Sequence, residues 1–109
     1  MTFIELEMKI NGMRRKSEAH MVIACLVDAF DRGEDWVDRD DIAQGTNIMA
    51  PNISTAAKHL EAEGLIEIQY LDTKADQRVF SPNRNGNWSK PFYRISAPVL
   101  RLFNRSRAE

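Results

Sequence analysis

The stretch from Ile42 to Leu71, IAQGTNIMAPNISTAAKHLEAEGLIEIQYL, decides the fold. It reads as the end of a short helix, a tight turn, a longer helix stopping at Gly64, and an alternating strand. Pro51 belongs in the first turn of the longer helix, where its missing N–H costs nothing. Ile53, Ala56, Ala57 and Leu60 recur at helical spacing and mark a narrow buried stripe. Gly64 supplies the left-handed residue that ends helices, with Leu65 and Ile66 packing back behind it. The spacing predicts a helix over about residues 50–63. At about 100° per residue, the opposite face carries Asn52, Thr55, Lys58, His59 and Ala62, with Ser54 on the flank. These side chains are short, polar or basic, the types that hydrogen-bond base edges and phosphates. A merely solvated face would also be polar, so the neighbouring segments decide between the two readings.

Upstream, Asp38 suits an N-cap and Asp41 stands where a capping-box partner would. Ile42 and Ala43 face inward, and Gly45-Thr46-Asn47 is expected to break the helix. The acidic cluster Asp38, Asp40 and Asp41 reads as helix-start chemistry favoured by the helix dipole, with no matching ligand set for a metal nearby in sequence. Downstream, Ile66, Ile68 and Tyr70 alternate as in a half-buried strand, and Pro91 to Ser96 reads as its hairpin partner. Trp36-Val37 reads as a small strand before the second helix.

His59-Leu60, Glu63-Gly64-Leu65-Ile66 and Tyr93-Arg94-Ile95-Ser96 resemble the recognition helix and wing strands of bacterial winged-helix repressors of the MarR-like and ArsR-like kind. The likeness covers about half the chain and is more specific for the fold than for one family. It implies an α+β winged helix-turn-helix, with a three-helix core, a β-hairpin wing, and N- and C-terminal extensions. It further implies a sequence-specific regulator of transcription, with Asn52, Ser54, Thr55, Lys58 and His59 reading the major groove of double-stranded DNA. The wing, about residues 72–90, departs from the pattern by its length. It includes Phe80, Pro82, the run Asn83-Arg84-Asn85-Gly86-Asn87, and Trp88. Loops this long are usually functional or disordered. Arg78-Val79-Phe80 reads as a strand extension and Asn85-Gly86 as a turn.

The net charge is −1, which alone argues against nonspecific nucleic-acid binding. Its distribution is uneven. Residues 1–50 carry ten acidic and six basic side chains, and residues 51–109 carry six acidic and nine basic. Between 74 and 107, eight cations face one anion, Asp76. A basic wing and tail, with Arg78, Arg84 and Lys90 as its phosphate contacts, is the expected footprint. The acidic half is expected to face away from DNA or toward a partner.

With 109 residues, 43 % of them hydrophobic, the chain suits one small domain over 1–109. One cysteine excludes an internal disulfide and fits a reducing, cytoplasmic setting. No leader is evident, and no apolar run approaches the roughly 18 residues of a membrane span. The first core helix is expected from Ser17 to Asp31, with Arg32-Gly33 as its stop. Residues 1–16 fit two patterns. Ile4, Leu6, Met8 and Ile10 alternate as in a strand, whereas Phe3, Leu6, Ile10 and Met13 form a helical stripe with Thr2 and Glu5 as a capping box, which favours helix. Ser96 and Pro98 suit the start of a last helix, whose apolar residues exceed what a small monomer buries. Segments 1–16 and 97–109 are therefore expected to build a homodimer that reads a palindromic operator. An enzyme is disfavoured: His20 and His59 form no catalytic pair, and Cys25 lacks an activating neighbour. No metal or other cofactor is expected, and no residue reports a small-molecule effector. The competing reading is a winged-helix module that binds protein and not DNA.

Overall fold

The structure, a computed structural model, describes residues 1–72, 80–81 and 89–107. Helices and strands follow one another in the order α1 (Phe3–Asn11), α2 (Lys16–Asp31), β1 (Val37–Asp38), α3 (Arg39–Thr46), α4 (Ala50–Ala62), β2 (Ile66–Asp72), β3 (Phe80–Ser81), β4 (Ser89–Ile95) and α5 (Ala97–Leu102). The class is α+β. The strands form one antiparallel sheet in the order β1-β4-β2-β3.

Local chemistry starts and stops these helices. At α1, the Thr2 hydroxyl accepts the N–H of Glu5 at 3.1 Å. Leu6 and Ile10 are buried. The residues that fit either a strand or a helix thus form a helix, because its stripe has a core to meet. After α2, α4 and α5 the chain turns alike. At Gly33, Gly64 and Asn104 the backbone is left-handed, with φ of 86°, 74° and 59°. In each case the following N–H reaches back to a carbonyl of the helix's last turns, as from Leu65 to Leu60 at 2.9 Å. Gly64 adopts this conformation without the steric cost a Cβ would bring.

Two helix boundaries differ from expectation. α2 begins at Lys16 rather than behind a Ser17 cap, because the Ala19 N–H already bonds the Arg15 carbonyl at 2.9 Å. α3 runs through Gly45, and Asn47 with φ 58° is the residue that turns the chain. Asparagine tolerates this region better than most residues, and the Thr46 hydroxyl closes the last turn by donating to the Ile42 carbonyl at 2.7 Å.

The sheet positions α4. β1 pairs with β4 through Val37↔Tyr93 and Asp38↔Phe92. β2 pairs with β4 along its whole length, from Ile66↔Ile95 to Asp72↔Ser89. The segment between β2 and β4 also lays β3 on the free edge of β2. The rest of that segment, including Arg78, Val79, Arg84, Asn85, Gly86 and Trp88, lies outside the described residues. One hydrophobic core joins the helices to β1, β2 and β4.

At the last helix the fold departs from expectation. Val99 and Leu100 of α5 are fully buried within their own chain, while Leu102 and Phe103 pack partly against the same core. At about 1.5–3 kcal/mol per buried aliphatic side chain, this burial needs no second copy. Besides Met1, Met21 and Met49, exposed large apolar side chains lie on α1. Ile4 is 73 % exposed and Met8 70 % exposed. They stand one turn apart, opposite Leu6 and Ile10. Among the described residues, no helix is long and apolar enough to cross a membrane.

Candidate nucleic-acid interface

α4 is anchored by its apolar stripe. Ile53, Ala56, Ala57 and Leu60 are buried against the core. The helical angle then directs Pro51, Thr55, Lys58 and Ala62 outward, with Ser54 on one flank and Asn52 and His59 on the other. Thr55, Lys58 and His59 are exposed, and Asn52 is half-buried. The start of α4 has no side-chain cap, with Met49 at the cap position. Pro51 removes one N–H that would otherwise need a partner. The Thr55 hydroxyl donates to the Pro51 carbonyl at 3.0 Å, which leaves its oxygen able to accept from outside.

On the Ser54 flank, a narrow cleft is lined by Arg39, Ser54, Lys58, Tyr70, Pro91 and Tyr93. Arg39 opens α3, and its guanidinium donates to the Ser54 hydroxyl at 3.2 Å and to Asp40 at 3.3 Å. The Tyr93 side chain also hydrogen-bonds Ser54. Ser54 therefore ties α3, α4 and β4 together. Expected among the base readers, it also takes part in holding α4 within the fold. Tyr93 is 1 % exposed. Burial pushes its phenol up to about 12 from the usual 10.0.

On the His59 flank, an open groove runs between α4 and the bend joining α1 to α2. Met8, Lys9, Gly12, Met13 and Arg14 line one wall, and His59, Ala62 and Glu63 the other. Lys9 ties the two walls together. Its ammonium donates to the Glu63 carbonyl at 3.0 Å and sits 3.9 Å from the Glu63 carboxylate.

The basic tail is largely neutralised within the fold. Arg94 pairs with Glu67 and Asp35, at 2.6 and 3.3 Å, and its guanidinium lies 4.6 Å from the Trp36 ring. Arg105 binds both oxygens of Asp31, and Arg107 pairs with Asp35 at 2.7 Å while donating to the Ile95 carbonyl. The Arg105 hydrogen bond holds the Asp31 carboxyl below its usual range. Asp31 and Asp35 of the acidic first half thus face these cations. Lys90 is exposed, but strand alternation puts it on the sheet face of Phe92 and Arg94, opposite Tyr93, which faces α4.

Of the eight residues read as DNA contacts, the fold gathers Asn52, Thr55, Lys58 and His59 on one helix surface. Ser54 is tied inward, Lys90 lies on the other face of the sheet, and Arg78 and Arg84 fall outside the described residues. Beside α4 the fold also places Lys9, Arg14 and Arg39, which the sequence reading did not single out. The run Arg14-Arg15-Lys16 was a visible signal, hidden by summing charge over an acidic half.

Burial and the nearby Asp28 push the Cys25 thiol up, away from the reactive thiolate. His20 stands 3.7 Å from Glu7 on the surface. Among the described residues, no group of three or more His, Cys, Asp or Glu side chains is placed to hold a metal ion. No protein-family model, curated protein or solved structure matches this chain.

Proposed function

We propose that this protein is a winged helix-turn-helix regulator that binds double-stranded DNA in a sequence-specific way. The observation that carries this reading is the outward surface of α4. A helix of 13 residues, buried by an alanine-rich stripe, turns Asn52, Thr55, Lys58 and His59 to one side. α3 stands before it and an antiparallel β2–β4 pair behind it. That order matches the arrangement in which one helix enters the major groove. Thr55 and Asn52 supply hydrogen bonds to base edges, and Lys58 and His59 supply bonds to bases or phosphates.

The exposed Ile4 and Met8 on α1 support a homodimer formed by a second copy, with two α4 helices reading the halves of a palindrome. Segment 1–16 is then the dimerising extension, with α5 serving its own core. The protein would act in the cytoplasm, without a cofactor or catalytic step.

Selection of bound sites from a random duplex library, followed by titration of the selected site, tests this function. The expected result is a palindromic consensus. Replacing Lys58 by Ala should weaken binding to it by about 1–3 kcal/mol or relax one base preference. Absence of binding at low salt would instead favour the protein-binding module, for which the same α1 face offers a docking surface.

A further inference from the structure

The groove on the His59 flank lies away from the hairpin, along one edge of the reading surface of α4. The bend between α1 and α2 places Arg14 in its wall and Lys16 two residues on, both exposed. Among the described residues, neither has an ion-pair partner, whereas Arg15 pairs with Glu18 at 3.4 Å. The Lys9 ammonium offsets Glu63 and caps a carbonyl at the end of α4. It thereby counters the partial negative charge of a helix C-terminus, which would otherwise repel an anion. Across the groove stand the small Ala62 and His59, which leave room for a bulky strand to approach.

The length of α4 identifies the anion. Its 13 residues extend about 20 Å, whereas the major groove is about 12 Å wide. A helix of that length laid across the groove would bring its ends to the phosphate ridges. One end region is bordered by the α1–α2 bend. We propose that this bend is a phosphate clamp, in which Arg14 and Lys16 grip the DNA backbone on the flank of α4 opposite the hairpin, with Lys9 positioning the end of α4 and offsetting its charge. This inference rests on the DNA-binding reading and adds to it a second, independent source of affinity.

The test is a titration of the full-length protein with its selected duplex, and with a random-sequence duplex of about 30 base pairs, over a range of salt concentrations. Arg14→Ala with Lys16→Ala should weaken both complexes by a similar factor. It should also make the slope of log affinity against log salt shallower by about two, since each neutralised phosphate accounts for roughly 0.9 of that slope. Sequence preference should not change. Arg101→Ala, which removes an exposed cation near the Arg94 and Arg107 ion pairs, should leave the slope as it is. Melting curves of each variant, expected to match wild type because these side chains are exposed, exclude misfolding as the cause. An unchanged slope in the double variant, with Lys58→Ala still impairing binding, overturns the clamp and leaves the α4 reading intact. Failure of the wild-type protein to bind any duplex overturns both.

Discussion

Tyr93 shows how one side chain can serve the core and the interface together. Its ring fills the space between β4 and α4, and its side chain bonds Ser54, which Arg39 also holds. Burial disfavours the phenolate, so the folded chain keeps its proton from pH 10 to about 12 while the unfolded chain releases it. The stabilising contribution is therefore complete below pH 10 and is lost as pH rises through about 12. The difference corresponds to about 2–3 kcal/mol. Tyr93→Phe should cost roughly 1 kcal/mol near neutral pH by removing the hydrogen bond to Ser54. It should also flatten the alkaline loss of stability, as read from urea midpoints across the same pH window. An equally steep alkaline loss in the variant would place the responsible group elsewhere.

At the scale of elements, α4 is legible in the sequence because its signals are local. Pro51, the stripe from Ile53 to Leu60, and Gly64 each act within a turn or two of their neighbours. The end of α3 is harder to read: Gly45 permits a break but does not require one, and the Thr46 bond to Ile42 keeps the helix going to Asn47. The tail is harder still, because a charge count along the chain does not show which charges meet. Asp31 and Asp35 lie 59 to 74 residues from the arginines they pair with, and only the fold brings them together. Arg105→Ala and Arg107→Ala should consequently leave the salt dependence of DNA binding unchanged, as measured by fluorescence anisotropy. A shallower salt slope in either variant would return the tail to the interface.

At the scale of the whole molecule, α1 and not α5 carries neighbouring exposed apolar residues, with Met21 and Met49 exposed elsewhere. Ile4 and Met8 point away from the core into solvent. Ile4→Glu combined with Met8→Glu should leave the helical content intact. It should raise the dimer dissociation constant on the order of a thousandfold or more, since each copy then sets two carboxylates against the apolar face of the other. Size-exclusion chromatography with light scattering at micromolar concentration reads this directly. A wild-type protein that is already monomeric there would remove the homodimer, and with it the palindromic operator.

The sequence by itself determined α2 to α5, their order and the outward surface of α4, because periodicity, proline and glycine act on a chain locally, whereas α1 fitted a strand as well until its stripe met the core. The tertiary structure decided which charges remain open to a partner. It turned Arg94, Arg105 and Arg107 onto Asp31, Asp35 and Glu67, tied Ser54 inward through Arg39 and Tyr93, and brought the α1–α2 bend beside α4. The physical reason is that a Coulombic or hydrogen-bonded contact depends on distance in space, and residues far apart in the chain acquire that distance only when the core closes.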